Sequence, residues 1–204
     1  MLRKTPQQDR SRFVVQTILD GASRVFGSRP LHDVNTSTIA EVSGVSVGSL
    51  YQYFDNKLEI AACLAEEHAT RSVEFATALL QSEHSRPILG ACRLLLRELL
   101  AQHERERTLH LNFLALEPVR KLQRPEAALD RHIGVLSERV HEEFPHVDAE
   151  SSALYAKMLM WNVHVMVHSA ITWPSDDRDR RVTEHFDALL PAYEQAMQAA
   201  RLRP

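Results

Sequence analysis

The chain has 204 residues, 44% of them apolar and 25% charged, with 6 glycines and 2 cysteines. Such a composition excludes a disordered chain, allows one compact domain or a small domain fused to a larger one, and excludes a disulfide-stapled scaffold. The net charge of −3 is unevenly divided: residues 1–57 hold seven Lys or Arg against five Asp or Glu, and the remainder seventeen against twenty-two, so a mildly basic head precedes an acidic body. Met1–Pro6 leads into polar residues with no apolar signal core, so the expected compartment is the cytoplasm, where cysteines stay reduced.

Residues 1–11 are polar and basic and read as a flexible arm. From Arg12 the apolar residues Phe13, Val14, Ile18, Ala22, Val25 and Phe26 fall on one helical stripe ending near Gly27. A proline-bearing connection follows. Asn35 is an N-cap type ahead of a short helix that Gly44 terminates, and Ser46, two residues on, caps the next segment, Val47 to Phe54. Asp55-Asn56 opens a long helix to about Gln81. Further helical tracts are expected over 88–116, with an interruption around His103–Thr108, and over 126–143, 149–173 and 182–201, the last kinked at Pro191. No segment alternates as a strand does. The expected fold is all-α: an N-terminal three-helix domain over 12–57, followed by a helical bundle over 58–204.

Helix, glycine-bearing turn and second helix at residues 35–54 have the spacing of the DNA-binding helix-turn-helix, whose second helix enters the major groove. A helical hairpin that merely packs has the same spacing, so the chemistry of the second helix matters. Ser46, Val47, Gly48, Ser49 and Gln52 are small or hydrogen-bonding and free of acids: small residues let the backbone approach DNA, Ser and Gln bond base edges or phosphates, and Val47 can meet a thymine methyl. Tyr53 offers a phenol to phosphate, and Tyr51 is ambiguous between that role and the core. Lys57 falls in the first turn of the long helix, where the dipole disfavours a cation, so a phosphate there would satisfy both; a solvated surface lysine is the alternative.

The run Ile39-Ala-Glu-Val-Ser-Gly44-Val-Ser-Val-Gly48-Ser-Leu-Tyr-Gln-Tyr-Phe54-Asp-Asn-Lys57, preceded by Ile18-Leu19 and Val25-Phe26, resembles the N-terminal domain of the TetR family of transcriptional regulators. The resemblance covers residues 12–60. It implies a homodimeric regulator, usually a repressor, whose helical body binds a small molecule and dimerises through its last two helices. Base-reading positions of the family fall on Val47, Gly48, Ser49 and Gln52, and phosphate-binding positions on Thr36, Tyr51, Tyr53 and Lys57. The departures are Asn35, at a cap position where the family often has Thr, Thr36, at a frequently apolar position, and Gly21, where helix 1 usually carries Ala at a gain of about 1 kcal/mol in helix propensity.

The expected partners are duplex DNA with a palindromic operator, a second copy of the chain and a small-molecule effector; no membrane is expected, because the apolar run from Met158 to Trp173 is interrupted by polar residues. An effector pocket lined by Phe113, Tyr155, Met158, Trp161, Asn162, His164, Val165 and His168 offers an apolar and aromatic mixture with a few polar groups, although each of these residues also suits a core. The dimer interface is expected at Val163, Val167, Phe186, Leu189, Leu190 and Tyr193. Rival readings are a metal-dependent helical-bundle enzyme and a dimeric scaffold that does not bind DNA. Against the enzyme, Glu138 and His141 form one Glu-x-x-His pair, but Pro145 interrupts the second candidate, Glu143 to His146. His164 and His168 lack an evident third ligand. No catalytic residue, metal or cofactor is expected, and Cys63 and Cys92 read as small buried hydrophobes.

Overall fold

The computed structural model describes residues 9–116, 126–173 and 177–200. Among them the elements are α1 (Asp9–Ser28), a 3-10 turn η1 (Leu31–Asp33), α2 (Thr36–Ser43), α3 (Val47–Tyr51), α4 (Lys57–Ser82), α5 (Ile88–Arg105), α6 (Arg107–Leu114), α7 (Glu126–Glu143), α8 (Ala149–Thr172) and α9 (Arg178–Ala199). The all-α expectation holds. Residues 9–11, assigned by sequence to a flexible arm, are instead the first turn of α1; residues 1–8 lie outside the described residues. The tract over 88–116 is broken as expected: Glu106 leaves helical geometry at φ −112° and ψ 28°, dividing α5 from α6. The last helix starts at Arg178, ahead of the expected Val182, and continues through Pro191.

The chain divides into two compact units. The first comprises residues 9–69 and 106–116 and therefore extends past residue 57, taking in the N-terminal half of α4 and all of α6. Its core explains the extension: Ile18, Ala22, Phe26, Ile39, Leu50 and Phe54 share one cluster with Ile60, Leu64 and Ala65 of α4 and with Leu109, Phe113 and Leu116 from α6 and just beyond. The second unit comprises 70–105, 126–173 and 177–200. In it the apolar stripes of α5, α7, α8 and α9 meet around Leu96, Leu136, Val140, Leu159 and Phe186.

Two contacts in the first unit fix its geometry. Asn112, buried on α6, donates from Nδ2 to Phe26 O at 2.7 Å and Arg29 O at 3.0 Å, while Oδ1 accepts from Leu31 N at 2.8 Å. One side chain thereby satisfies carbonyls at the end of α1 and holds η1. Gly21 is the second. A Cβ there would lie 2.0 Å from Ser43 Oγ and 2.9 Å from Ser43 Cα, so the absent side chain is what allows α1 to close on α2. The apparent propensity cost of this glycine is a packing requirement.

In the second unit Arg139, 5% exposed, donates to the carbonyls of Leu80, Glu83, His84 and Arg86, which gather the C-terminus of α4 and the turn behind it around one guanidinium. Buried Arg178 pairs with Glu104 at 2.6 Å and with Asp179 at 3.1 Å, extending α9 toward its N-terminus.

Candidate nucleic-acid interface

The turn between α2 and α3 is built by local rules. Gly44 adopts the left-handed conformation at φ 67° and ψ 24°, which only glycine enters without a Cβ penalty. Val45 N then donates to Ala40 O at 3.0 Å, closing the end of α2. Ser46 begins α3, its Oγ accepting from Ser49 N at 3.0 Å and lying 2.8 Å from Ser49 Oγ. Leu50 and Phe54 are fully buried in the first unit's core, so they anchor α3 on one side and turn the rest of its surface outward.

That outward surface carries Val47, Gly48, Tyr51 and Gln52, all exposed, with Ser49 half-buried. Ser46 and Ser49 differ from expectation in one respect, since their hydroxyls are engaged with each other and with the cap. Gly48 is informative. A Cβ there would meet nothing nearer than Ser46 Oγ at 3.9 Å, and its backbone has no positive φ. Glycine inside a helix costs about 1 kcal/mol against alanine, and no contact within the unit requires it.

Beside this surface, Thr36 Oγ1 lies 2.9 Å from Tyr51 Oη, which ties the first turn of α2 to the last residue of α3. Tyr51 is 41% exposed, and its hydroxyl faces α2. Tyr53 is half-buried against the core. At the start of α4, Asn56 Oδ1 accepts from Leu58 N at 3.0 Å and Glu59 N at 3.1 Å, and Glu59 Oε2 accepts from Asp55 N at 3.0 Å. This is a capping box displaced by one residue.

Lys57 has a structural role that its sequence position did not disclose. Its Nζ donates to Val34 O at 2.8 Å and His32 O at 3.0 Å, bracing the segment that leads into α2. The ammonium is therefore not simply solvated: carbonyl oxygens offset the unfavourable helix dipole. An ammonium has three N–H groups, so one more acceptor can join these two.

Of the residues expected to line an effector pocket, Phe113 lies in the core of the first unit and the other seven are on α8 in the second. On α8, Met158, Trp161 and Val165 are 43%, 42% and 54% exposed and continue an outward stripe from Leu154. Tyr155 Oη donates to Ala196 O at 3.2 Å, and Asn162 Nδ2 donates to Tyr193 Oη at 2.5 Å, both serving the packing of α8 on α9. The rings of His164 and His168 lie tilted against each other with centroids 4.2 Å apart. A groove of about 420 Å³ in the second unit is lined by Arg93, Arg97, Arg180 and Asp187 among others, and by none of those eight residues. Two of its three arginines are already paired, Arg93 with Asp187 and Arg180 with Glu184, each at 2.7 Å.

Of the expected interface residues, Val163, Val167, Phe186 and Tyr193 are 3%, 1%, 0% and 8% exposed and belong to the second unit's own core. Leu189 is 37% exposed and Leu190 half-buried. Helix α8 is apolar on nearly every side, and periodicity alone did not say which face turns inward. Burial pushes the Cys92 thiol up to about 12, which keeps it protonated and unreactive, as expected of a small hydrophobe.

Residues 18–63 match the family model of bacterial regulatory proteins of the tetR family. No curated protein matches the chain. Among solved structures, a TetR-family transcriptional regulator from Pectobacterium atrosepticum aligns with a TM-score of 0.70 at 15% identity, covering 98% of this chain and all of its own. SmeT of Stenotrophomonas maltophilia, the repressor of the multidrug efflux pump SmeDEF, aligns with a TM-score of 0.56 at 20% identity over 87% of this chain and 89% of its own. The TetR family repressor AlkX from a Dietzia strain, implicated in n-alkane biodegradation, gives 0.55 at 21% over 88% and 97%. At these identities the alignments establish the fold. Among the described residues no helix is long and apolar enough to cross a membrane. Residues 18–63 therefore form a TetR-family N-terminal domain with its helix-turn-helix, on a chain that has the fold of TetR-family regulators.

Proposed function

We propose that the chain is a cytoplasmic, homodimeric transcriptional regulator, acting as a repressor, that binds a palindromic operator through α3 and is released by a small-molecule effector. The reading rests chiefly on Gly48. It stands on an exposed helical surface, costs helix stability, and answers no contact within its unit, as expected where a second backbone must come close. Val47 and Gln52 flank it with a methyl-bearing and an amide side chain, the pair of chemistries that reads thymine and adenine in a major groove. Tyr51, Tyr53, Thr36 and the remaining N–H of Lys57 provide the phosphate contacts that set the helix in register.

Dimerisation is assigned to the exposed apolar stripe of α8, Leu154, Met158, Trp161 and Val165, with Leu189 of α9. A stripe of this length on a soluble protein calls for a covering partner, and a two-fold pair would present two recognition helices to two half-sites. The effector is assigned to the second unit. Selection of bound duplexes from a random pool tests the proposal: enrichment of an inverted repeat supports it, and a pool that stays random at low salt overturns it.

A further inference from the structure

We propose that His68, Glu106 and His110 form a binding site for a divalent transition-metal ion of the zinc type, in the first unit and independent of the DNA-binding reading. His68 stands on α4, and Glu106 and His110 lie one turn apart at the start of α6. His68 Nδ1 is 3.9 Å and His110 Nε2 3.7 Å from one and the same oxygen, Glu106 Oε2. The two rings meet edge to face with centroids 4.4 Å apart.

These separations exceed hydrogen bonds and approach those of a coordination shell. A tetrahedral ion with bonds of about 2.1 Å holds its ligand atoms about 3.4 Å apart, so the carboxylate need close by only a few tenths of an ångström. Glu106 has that freedom: its side chain is 48% exposed, and although it occupies the N-cap of α6 it makes no capping hydrogen bond. The imidazoles are held from behind. His68 and His110 are 11% and 2% exposed, and Phe113 packs against both rings at 5.5 and 6.1 Å, so a low-dielectric wall backs the site while the carboxylate side stays open for an ion to enter.

Two imidazoles and one carboxylate form a borderline donor set. It suits Zn²⁺, Co²⁺ or Ni²⁺ over Ca²⁺ and Mg²⁺, which take all-oxygen shells, and over Cu⁺, which takes sulfur. A bound ion would cross-link α4 to α6, and α6 carries Asn112, which holds the end of α1 and η1.

The test titrates the chelator-treated full-length chain with Co²⁺, following its visible d–d absorption, and with Zn²⁺ against a chromophoric chelator. Expected are one ion per protomer, the intense absorption of a low-coordinate cobalt site, and a shift of Tm upward with Zn²⁺. His110→Gln should abolish the site. Should that variant misfold, Glu106→Gln at the half-exposed position keeps the test decisive, with affinity expected to fall roughly tenfold or more. The proposal is overturned by a spectrum that stays that of aqueous cobalt, by affinity unchanged in Glu106→Gln, or by binding that is lost in His164→Gln instead.

Discussion

Gly21→Ala separates helix propensity from packing more sharply than any other substitution in the chain. Propensity alone favours alanine in the middle of α1 by about 1 kcal/mol. The structure opposes it. The new methyl would lie 2.0 Å from Ser43 Oγ and 2.9 Å from both Ser43 Cβ and Ser43 Cα; the hydroxyl can rotate away, but the Cα is backbone and moves only if α2 moves. Overpacking of this kind costs about 1–3 kcal/mol, and Ser43 Oγ would also lose its 3.4 Å hydrogen bond to Ile18 O. We expect a net loss of about 1–2 kcal/mol after the propensity gain is set against it. Urea unfolding followed by circular dichroism would show this as a lower midpoint at unchanged slope. Ser43→Ala in the same chain removes the 2.0 Å encounter and should recover part of the loss, a coupling that distant sites do not show. A Gly21→Ala variant stabilised by about 1 kcal/mol would refute the packing argument.

Three other expectations follow from named contacts. Lys57→Met keeps the aliphatic stem but removes both carbonyl bonds, so stability should fall by about 1–2 kcal/mol, while affinity for operator and scrambled duplex falls by a similar factor and the salt slope flattens by about 1; anisotropy across a salt series beside a melting curve reads both. Burial lowers His132 to about 4, from an ordinary 6.5, and its Nδ1 lies 3.0 Å from Thr77 Oγ1. Between those values the unfolded chain binds the extra proton, so stability should be intact above pH 6.5 and fall by up to about 3 kcal/mol on acidification towards the lower value; His132→Phe should flatten that stretch of a urea-midpoint profile. Trp161→Glu places a charge on the exposed stripe of α8 and should give folded monomers by light scattering, whereas Phe186→Glu, at 0% exposure, should lose the second unit's cooperative unfolding.

The helix-turn-helix was legible in the sequence because its determinants are local. Gly44, Ser46 and the two-residue spacing between helices are signals that act within a turn, and the structure places α2 and α3 where they indicate. What escaped depends on residues far apart in the chain. Gly21 acquires its meaning from Ser43, Asn112 from Phe26 and Arg29, and Lys57 from the carbonyls of His32 and Val34. Likewise Glu106 and His110 stand at i, i+4 and meet His68 only once α6 docks against α4, so scanning for Glu-x-x-His pairs passed over them. Helix α8 was ambiguous for another reason. With apolar residues on nearly every side it satisfies any choice of inner face, and Val163 and Val167 proved to be core while Met158, Trp161 and Val165 face outward.

If α3 presents its surface to DNA, Gly48→Ala should separate stability from operator binding. Nothing within the unit lies within 3.9 Å of the added methyl, so the variant should fold and gain up to about 1 kcal/mol of stability from helix propensity. Against DNA the same methyl intrudes where the backbone must approach, and anisotropy on the selected operator should show affinity lowered by about tenfold or more, equivalent to at least about 1.4 kcal/mol. A variant that is more stable and binds more weakly is the predicted result; one that is more stable and binds the operator with undiminished affinity would contradict the account.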